Sequence, residues 1–376
     1  MTATPYGHIV VTVDKSICAS TALSELVKSS GLSSMSQAAG RSQTLRNRKG
    51  LAALLFSAAS LESSSVEVLS LVVPETSAEA MMAAISEMLR LENPGRGTIY
   101  SEKIVIYGNS PSRCPEAVTV PSGHTARLLK ELMGIRCIVQ RGKGDDIARV
   151  ALDTGTCVPV TTFGLGTGVR DKLGILRITI PAEKEVITVV ASRYDAEAVM
   201  NMMIDVGKLD LPGRGFIYLF PIQMGLVNTK VNQGMPSHAA SVEQIIAALD
   251  DVKGGVGWRS RGSMGEGGSG SRRVFLSSLV DLTLVCNEGR GSDLVTAAMA
   301  VGAAGATISR SSSIGYSAST AGGISPAREV CSMVIGEKQI DTVVDALEKA
   351  GVFDNSTHGL IFSRSVPKAC TYLGKK

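Results

Sequence analysis

Aromatic residues are scarce in this chain. Phe, Trp and Tyr make up 4% of 376 residues, and there is one Trp. A protein that stacks single-stranded bases needs aromatic platforms, so the composition argues against that class. An excess of one charge is missing too. The formal net charge is +4, which gives no broad basic face for duplex DNA. Paired cysteines are absent. Cys18, Cys114, Cys137, Cys157, Cys286, Cys331 and Cys370 are scattered, odd in number and never spaced CxxC, which argues against a disulfide framework or a zinc knuckle. The four His (His8, His124, His238 and His358) are dispersed, so no metal cluster is expected. No apolar run reaches membrane-spanning length. The opening "MTATPYGHIV" lacks the basic and apolar regions of a signal peptide. The expectation is a reduced, cytoplasmic protein with no nucleic-acid partner and no membrane insertion.

What is present is self-similarity. Hydrophobic residues make up 44% of the chain, enough for real cores, and the length suits two or three domains. "AEAMMAAISEMLRLENPGRGTIY" (Ala78 to Tyr100) aligns without a gap with "AEAVMNMMIDVGKLDLPGRGFIY" (Ala196 to Tyr218). A third copy, "AREVCSMVIGEKQIDTVVDALEKAGVFDNSTHGLIF", aligns with both. Glu67, Glu185 and Glu329 fall in register, as do Gly97, Gly215 and Gly359. The front halves are related more loosely, each reading strand, helix, strand. The expected unit is β-α-β-β-α-β, a ferredoxin-like α+β pattern, written three times. Expected units span 1–111, 134–232 and 276–376. Connectors span 112–133, with a helix, and 233–275, with a helix and a Gly/Ser-rich loop.

These units, with a "SLVVPE"-type third strand and a helix running into G-x-G-x-I-Y/F, resemble the nitrogen-regulatory PII signalling proteins. The resemblance covers most of the three units and leaves out the connectors. It implies an internal pseudo-trimer that regulates a protein partner, with ATP or ADP as effector in clefts between units. It places one cleft wall at the turns Asn93–Gly97, Leu211–Gly215 and Asn355–Gly359. It places the other, the base of the mobile loop, near Gly40 and Arg41, Gly164 to Gly166, and Ile314 and Gly315. The sequence departs from the family in two ways. The Lys expected directly after the second Gly of each turn is replaced by Thr98, Phe216 and Leu360. The last-strand Arg pair is missing, its positions falling near Asn109 and Pro111, Val227 and Thr229, and Thr371 and Leu373. Tyr316 lies near a loop base and is not the modified tyrosine of a loop apex.

Several residues are candidates for binding an anion. In PGRG the glycines permit close approach and the Arg offers a planar fork for phosphate. Gly95, Arg96, Gly97, Gly213, Arg214 and Gly215 therefore read either as an anion clamp or as a helix-to-strand turn with a solvated Arg. "RGKGDDI" and "NEGRGSDL" open the first helices of units two and three. Lys143 or Arg290 can hold an anion there. Asp145 or Asp146, and Ser292 or Asp293, are expected as N-caps. "TTFGLGTGVRDKLG" lacks the GKS or GKT ending of a phosphate loop and leads into a strand. The Met clusters on the second helices (Met81, Met82 and Met88; Met200, Met202 and Met203) read as packing. Glu67, Glu185 and Glu329 have no nucleophile or acid to match them, so a solvated or strand-pairing role is expected. With no catalytic constellation, the chain reads as a non-enzymatic binder of a small anionic effector. The alternative is an interaction protein that kept the barrel and lost its sites.

Overall fold

The computed structural model describes residues 4–32, 35–47, 59–108, 114, 117–121, 123–168, 182–233, 273–314 and 325–373. The chain is mixed α/β and mostly strand. Its first block is β1 (Thr4–Asp14), α1 (Ala19–Ser29), β2 (Met35–Asn47), β3 (Ala59–Pro74), α2 (Ala78–Leu89) and β4 (Gly97–Tyr107). The second is β5 (Leu132–Gln140), α3 (Gly144–Asp153), β6 (Val160–Gly168), β7 (Glu183–Ser192), α4 (Ala196–Gly207) and β8 (Gly215–Ile222). A short arm follows it, carrying β9 (Met224–Leu226) and β10 (Asn232–Gln233). The third is β11 (Leu279–Asn287), α5 (Gly291–Ala300), β12 (Gly305–Ile314), β13 (Ala327–Gly336), α6 (Ile340–Lys349) and β14 (Leu360–Val366), with β15 (Lys368–Thr371) as its arm. The element order is thus β-α-β-β-α-β three times. No described helix is long and apolar enough to cross a membrane.

Local chemistry explains the elements. The core of β1, "HIVVTV", is rich in β-branched residues, which suit a pleated surface. The "AEAMMAA" start of α2 is made of strong helix formers. Both α2 and α4 end on a non-glycine residue in the left-handed region, Arg90 (φ 54°) and Lys208 (φ 49°). The Arg90 N–H turns back to the Glu87 and Ser86 carbonyls, and the Lys208 N–H to those of Asp205 and Ile204. That satisfies carbonyls the helix end would orphan. The repeat therefore extends to backbone geometry that costs about 1 kcal/mol per residue.

Within each block the first strand lies between the third and fourth, all antiparallel. Val13 faces Glu67 and Gly97; Val139 faces Glu185 and Gly215; Cys286 faces Glu329. The blocks join edge to edge. Strand β2 pairs with β6 and β12, which also pair with each other. The arms cross over: β9 pairs with β4 of the first block, and β15 with β8 of the second. Three apolar cores lie between helices and sheet, one per block. Others form where the blocks meet, around Tyr100, Tyr218 and Phe220, and around Tyr6 and Phe362.

The connector helix expected within 112–133 is not there among the described residues. Residues 124–130 are not helical, Leu129 bridges Gly225, and β5 begins at Leu132. The "ARLLKEL" stretch has helix-forming residues, but pairing with the arm and with β7 and β8 outweighs that local preference. The expected helix and Gly/Ser-rich loop of the second connector fall at 234–272, outside the described residues. So do Gly315, Tyr316 and His238. In the Met clusters, Met81, Met82, Met200 and Met203 are buried as expected, whereas Met88 and Met202 are 46% and 38% exposed.

Candidate functional site

The PGRG turn of the first block forms part of a cavity of about 310 Å3. Gly95, Arg96, Gly97 and Thr98 make one wall, and Ser42, Thr44 and Ser64 of β2 and β3 another. The second block closes it with Val158, Val160, Asn228 and Lys230. Gly97 is forced by packing, because a Cβ there would overlap the Thr12 carbonyl. Gly95 has φ 86°, and a Cβ on it would meet the Lys230 side chain at 3.0 Å. Lys230 thus lies over the turn that carries Arg96. The Arg96 Nε donates to the Leu89 carbonyl at 3.3 Å, tying its guanidinium to the end of α2.

The arm that brings Lys230 is held at several points. The Asn228 N–H donates to Thr98 Oγ1 at 3.0 Å, and its carbonyl accepts from the Val158 N–H at 2.8 Å. Asn228 Oδ1 accepts the Lys230 N–H at 3.1 Å. The Leu45 N–H donates to the Val231 carbonyl at 2.7 Å. Two cations from different blocks are therefore presented to one polar cavity with valines on its far side. Lys230 is not among the residues the sequence picked out. The family's last-strand cations correspond here to Val227 and Thr229, so Lys230, one residue further on, stands outside that pattern.

The other expected site residues are not gathered into this cavity. Arg214 sits in the same turn of the second block and is exposed. The Gly213 carbonyl there accepts from the Gln140 side chain at 3.2 Å. Arg41 is half-buried and committed to the second block, pairing with Asp145 at 2.6 Å and Glu185 at 3.3 Å. Gly40 faces Thr162 across the β2–β6 seam, and Gly166 faces Thr307 across the β6–β12 seam. A Cβ on Gly164 would press on Ser309 and Thr307. These glycines permit close strand approach and do not line a phosphate loop.

The helix starts correct two expectations. No side chain of Asp145, Asp146, Ser292 or Asp293 caps α3 or α5. The acceptor comes from the third strand. Glu185 Oε2 accepts the Gly144 N–H at 2.8 Å, and Glu329 Oε2 the Gly291 N–H at 2.7 Å. Glu67 takes the Ser20 N–H and hydroxyl, both at 3.2 Å. The aligned glutamates are therefore the helix caps, neither solvated nor merely strand-pairing. A helix start can hold an anion, and here the chain's own carboxylate holds that place. Lys143 and Arg290 consequently flank a filled site, and Arg290 spends its Nε on Thr357 Oγ1 at 3.3 Å.

A second polar cluster lies where strands of the three blocks meet. Glu102 and Asp281 are fully buried. Arg364 pairs with Glu102 and lies 3.5 Å from Asp281, while Arg136 pairs with Asp281 at 3.1 Å. Asp281 also accepts from the Tyr218 hydroxyl at 2.8 Å and the Ser332 hydroxyl at 2.7 Å. The Arg136 guanidinium stacks 4.8 Å from the Phe220 ring centre. Burial pushes the Glu102 pKa up, but Arg364, His8 and Arg136 more than offset it and hold it at about 2. Burial lowers the His8 pKa from 6.5 in spite of its Glu102 contact. The neutral ring places Nδ1 3.4 Å from Glu102 Oε2. Sequence reading missed this cluster. Its signal was a charge inside each of several apolar strands, as in "IYSEKIVIY" and "LVDLTLVCN".

No family model matches this chain, and no curated protein matches it. Among solved structures it is similar to Arabidopsis thaliana PII bound to citrate, at 17% identity, over 25% of this chain and 78% of that one, with a TM-score of 0.20. At that score the likeness carries no argument about what this chain does.

Proposed function

We propose that the chain is a PII-like internal pseudo-trimer and a cytoplasmic, non-enzymatic sensor. Its effector is a small phosphate-bearing anion of the adenine-nucleotide class, bound in the cleft between the first and second blocks. It signals to a protein partner through the segments around that cleft. The observation that carries this reading is Arg96 and Lys230, two cations from two blocks, lining one cavity of about 310 Å3. Arg supplies a planar fork and Lys a mobile point charge, a combination suited to phosphate. Ligand matters to a partner only if it favours one arrangement over another. An anion that bridges Arg96 and Lys230 favours the state in which the arm is seated on β2 and β4.

A second reading, a barrel kept for interactions with its sites lost, is favoured by the replacement of the expected Lys by Thr98, Phe216 and Leu360. Calorimetric titration of the whole chain with ATP, ADP and AMP separates the two. One nucleotide is expected to bind at one site per chain. Arg96→Ala and Lys230→Ala are each expected to weaken it about tenfold or more, in line with loss of a charge-assisted hydrogen bond. Arg214→Ala is expected to leave it unchanged. No saturable binding of any of the three moves the assignment to the interaction protein.

A further inference from the structure

We propose that the lumen lined by strands of all three blocks is a second binding site, and that it takes a small organic anion with an apolar body, such as a medium-chain carboxylate. The proposal does not rest on the nucleotide cleft. The lumen has a volume of about 290 Å3 and draws its lining from all three blocks. Close-packed interiors leave few voids larger than a water molecule. A chamber of this size with a few convergent polar groups has the build of a ligand site.

Its walls follow from the register of the repeat. Glu67, Glu185 and Glu329 point to the helices, so their neighbours Val68, Val186 and Val330 point to the lumen and line it. The next inward positions are small and polar: Ser70, Thr188 and Ser332. Ala38 of β2 leaves further room. The wall is thus apolar with scattered hydroxyls, suited to a hydrocarbon body.

The charged part of the lining selects the sign of the ligand. Arg136 and Arg364 line the lumen, whereas their carboxylate partners Glu102 and Asp281 lie behind them and do not. The chamber therefore meets the cationic side of a buried network. Arg364 is held between Glu102 and Asp281 and Arg136 against Asp281, with the two side chains 5% and 15% exposed. A carboxylate head at this point gains charge-assisted hydrogen bonds in a site of low dielectric constant. A cation would face two guanidiniums. The exposed lining residues Phe163 and Arg310 mark the open end, beside the strands β6 and β12.

The test is calorimetric titration of the whole chain with octanoate, and with 1-octanol as the uncharged counterpart. Octanoate is expected to saturate at one site per chain and to bind about tenfold or more tightly than 1-octanol. Arg136→Gln is expected to weaken octanoate by a similar factor. Because that variant removes part of a buried network, a second variant, Ala38→Leu, fills the lumen without touching any charge. It is expected to keep the wild-type circular dichroism spectrum and lose octanoate binding. Arg96→Ala is expected to bind octanoate as the wild type does. The proposal is overturned if octanoate does not saturate, if 1-octanol binds equally well, or if a folded Ala38→Leu protein binds octanoate unchanged.

Discussion

The two faces of the sheet have treated the same repeat in opposite ways. On the helix side, Glu67, Glu185 and Glu329 occupy one register position and do one job, accepting a backbone N–H at the start of the first helix. On the lumen side, one cross-strand pair reads His8–Glu102 in the first block, Gly134–Phe220 in the second and Asp281–Arg364 in the third. The pairs are complementary. A Cβ on Gly134 would overlap the Phe220 ring, and Glu102 of the first block pairs with Arg364 of the third. The three glutamate caps each lie within one block, so three identical solutions work. On the lumen side the charges also pair between blocks, Arg136 with Asp281 and Arg364 with Glu102. Three identical copies there would set three Glu102 carboxylates against one another, and like charges sharing a buried site cannot all ionise. Joining the blocks in one chain removes that constraint. Each copy can then carry a different part of one asymmetric centre, which also sets the order in which the blocks fit together.

This contrast is broken most directly at Glu102. Removing one partner of a buried ion pair leaves the other uncompensated, at a cost of about 3–5 kcal/mol. Glu102→Ala is expected to lower unfolding stability by about that amount in urea titrations. Arg364→Ala is expected to do the same. The double variant is expected to lose less than the sum, by about 0.5–3 kcal/mol, because the two residues share one interaction. Simple additivity would show that the centre is not a coupled unit.

Acid sharpens the same comparison, because the centre titrates as a native element. Glu102 has its pKa depressed from 4.5 to about 2 in the fold. Its stabilisation is therefore complete above pH 4.5 and is lost as pH falls from there toward 2. A shift of that size corresponds to about 3 kcal/mol. His8, held neutral below its usual 6.5, acts in the same direction. The unfolded ring takes up a proton below pH 6.5 before the folded one does. Stability is therefore expected to fall in two stages on acidification, the first beginning near pH 6.5 and the second below 4.5. Glu102→Gln is expected to remove the second stage. A rise in stability between pH 7 and 4 would contradict the assignment of these groups.

The same contrast explains what the sequence alone reveals. The repeat, its element order and the aligned Gly97, Gly215 and Gly359 are legible, because they are local patterns written several times. The role of the aligned glutamates is not. A local cap rule looks at the residues just before a helix, and Glu67 reaches Ser20 from 47 residues away. The Arg136, Glu102, Asp281 and Arg364 cluster is legible as odd charges in apolar strands, but their pairing depends on how three blocks meet. In the cleft, Arg96 stands out in a duplicated motif. Lys230 does not, since it arrives on an arm whose path over the first block no local pattern records. The expected connector helix failed for a related reason, with tertiary strand pairing outweighing local preference at residues 123–131.

The smallest expected effects lie on the helix side. Replacing a helix cap by Ala costs about 0.5–2 kcal/mol. Glu67→Ala, Glu185→Ala and Glu329→Ala are each expected to fall in that range, with Glu185→Ala at the upper end because Glu185 also pairs with Arg41. What distinguishes this side from the centre is how the changes combine. The three glutamates cap different helices with no shared partner, so the triple variant is expected to lose the sum of the single effects to within about 0.5 kcal/mol. Additive loss here beside coupled loss at Glu102 and Arg364 is what a repeated helix side and a single coupled charge cluster require. Strong coupling among the caps would mean that the helix side also communicates between blocks. The capping glutamates would then belong to the same cooperative unit as the lumen, and the division between the two faces would fail.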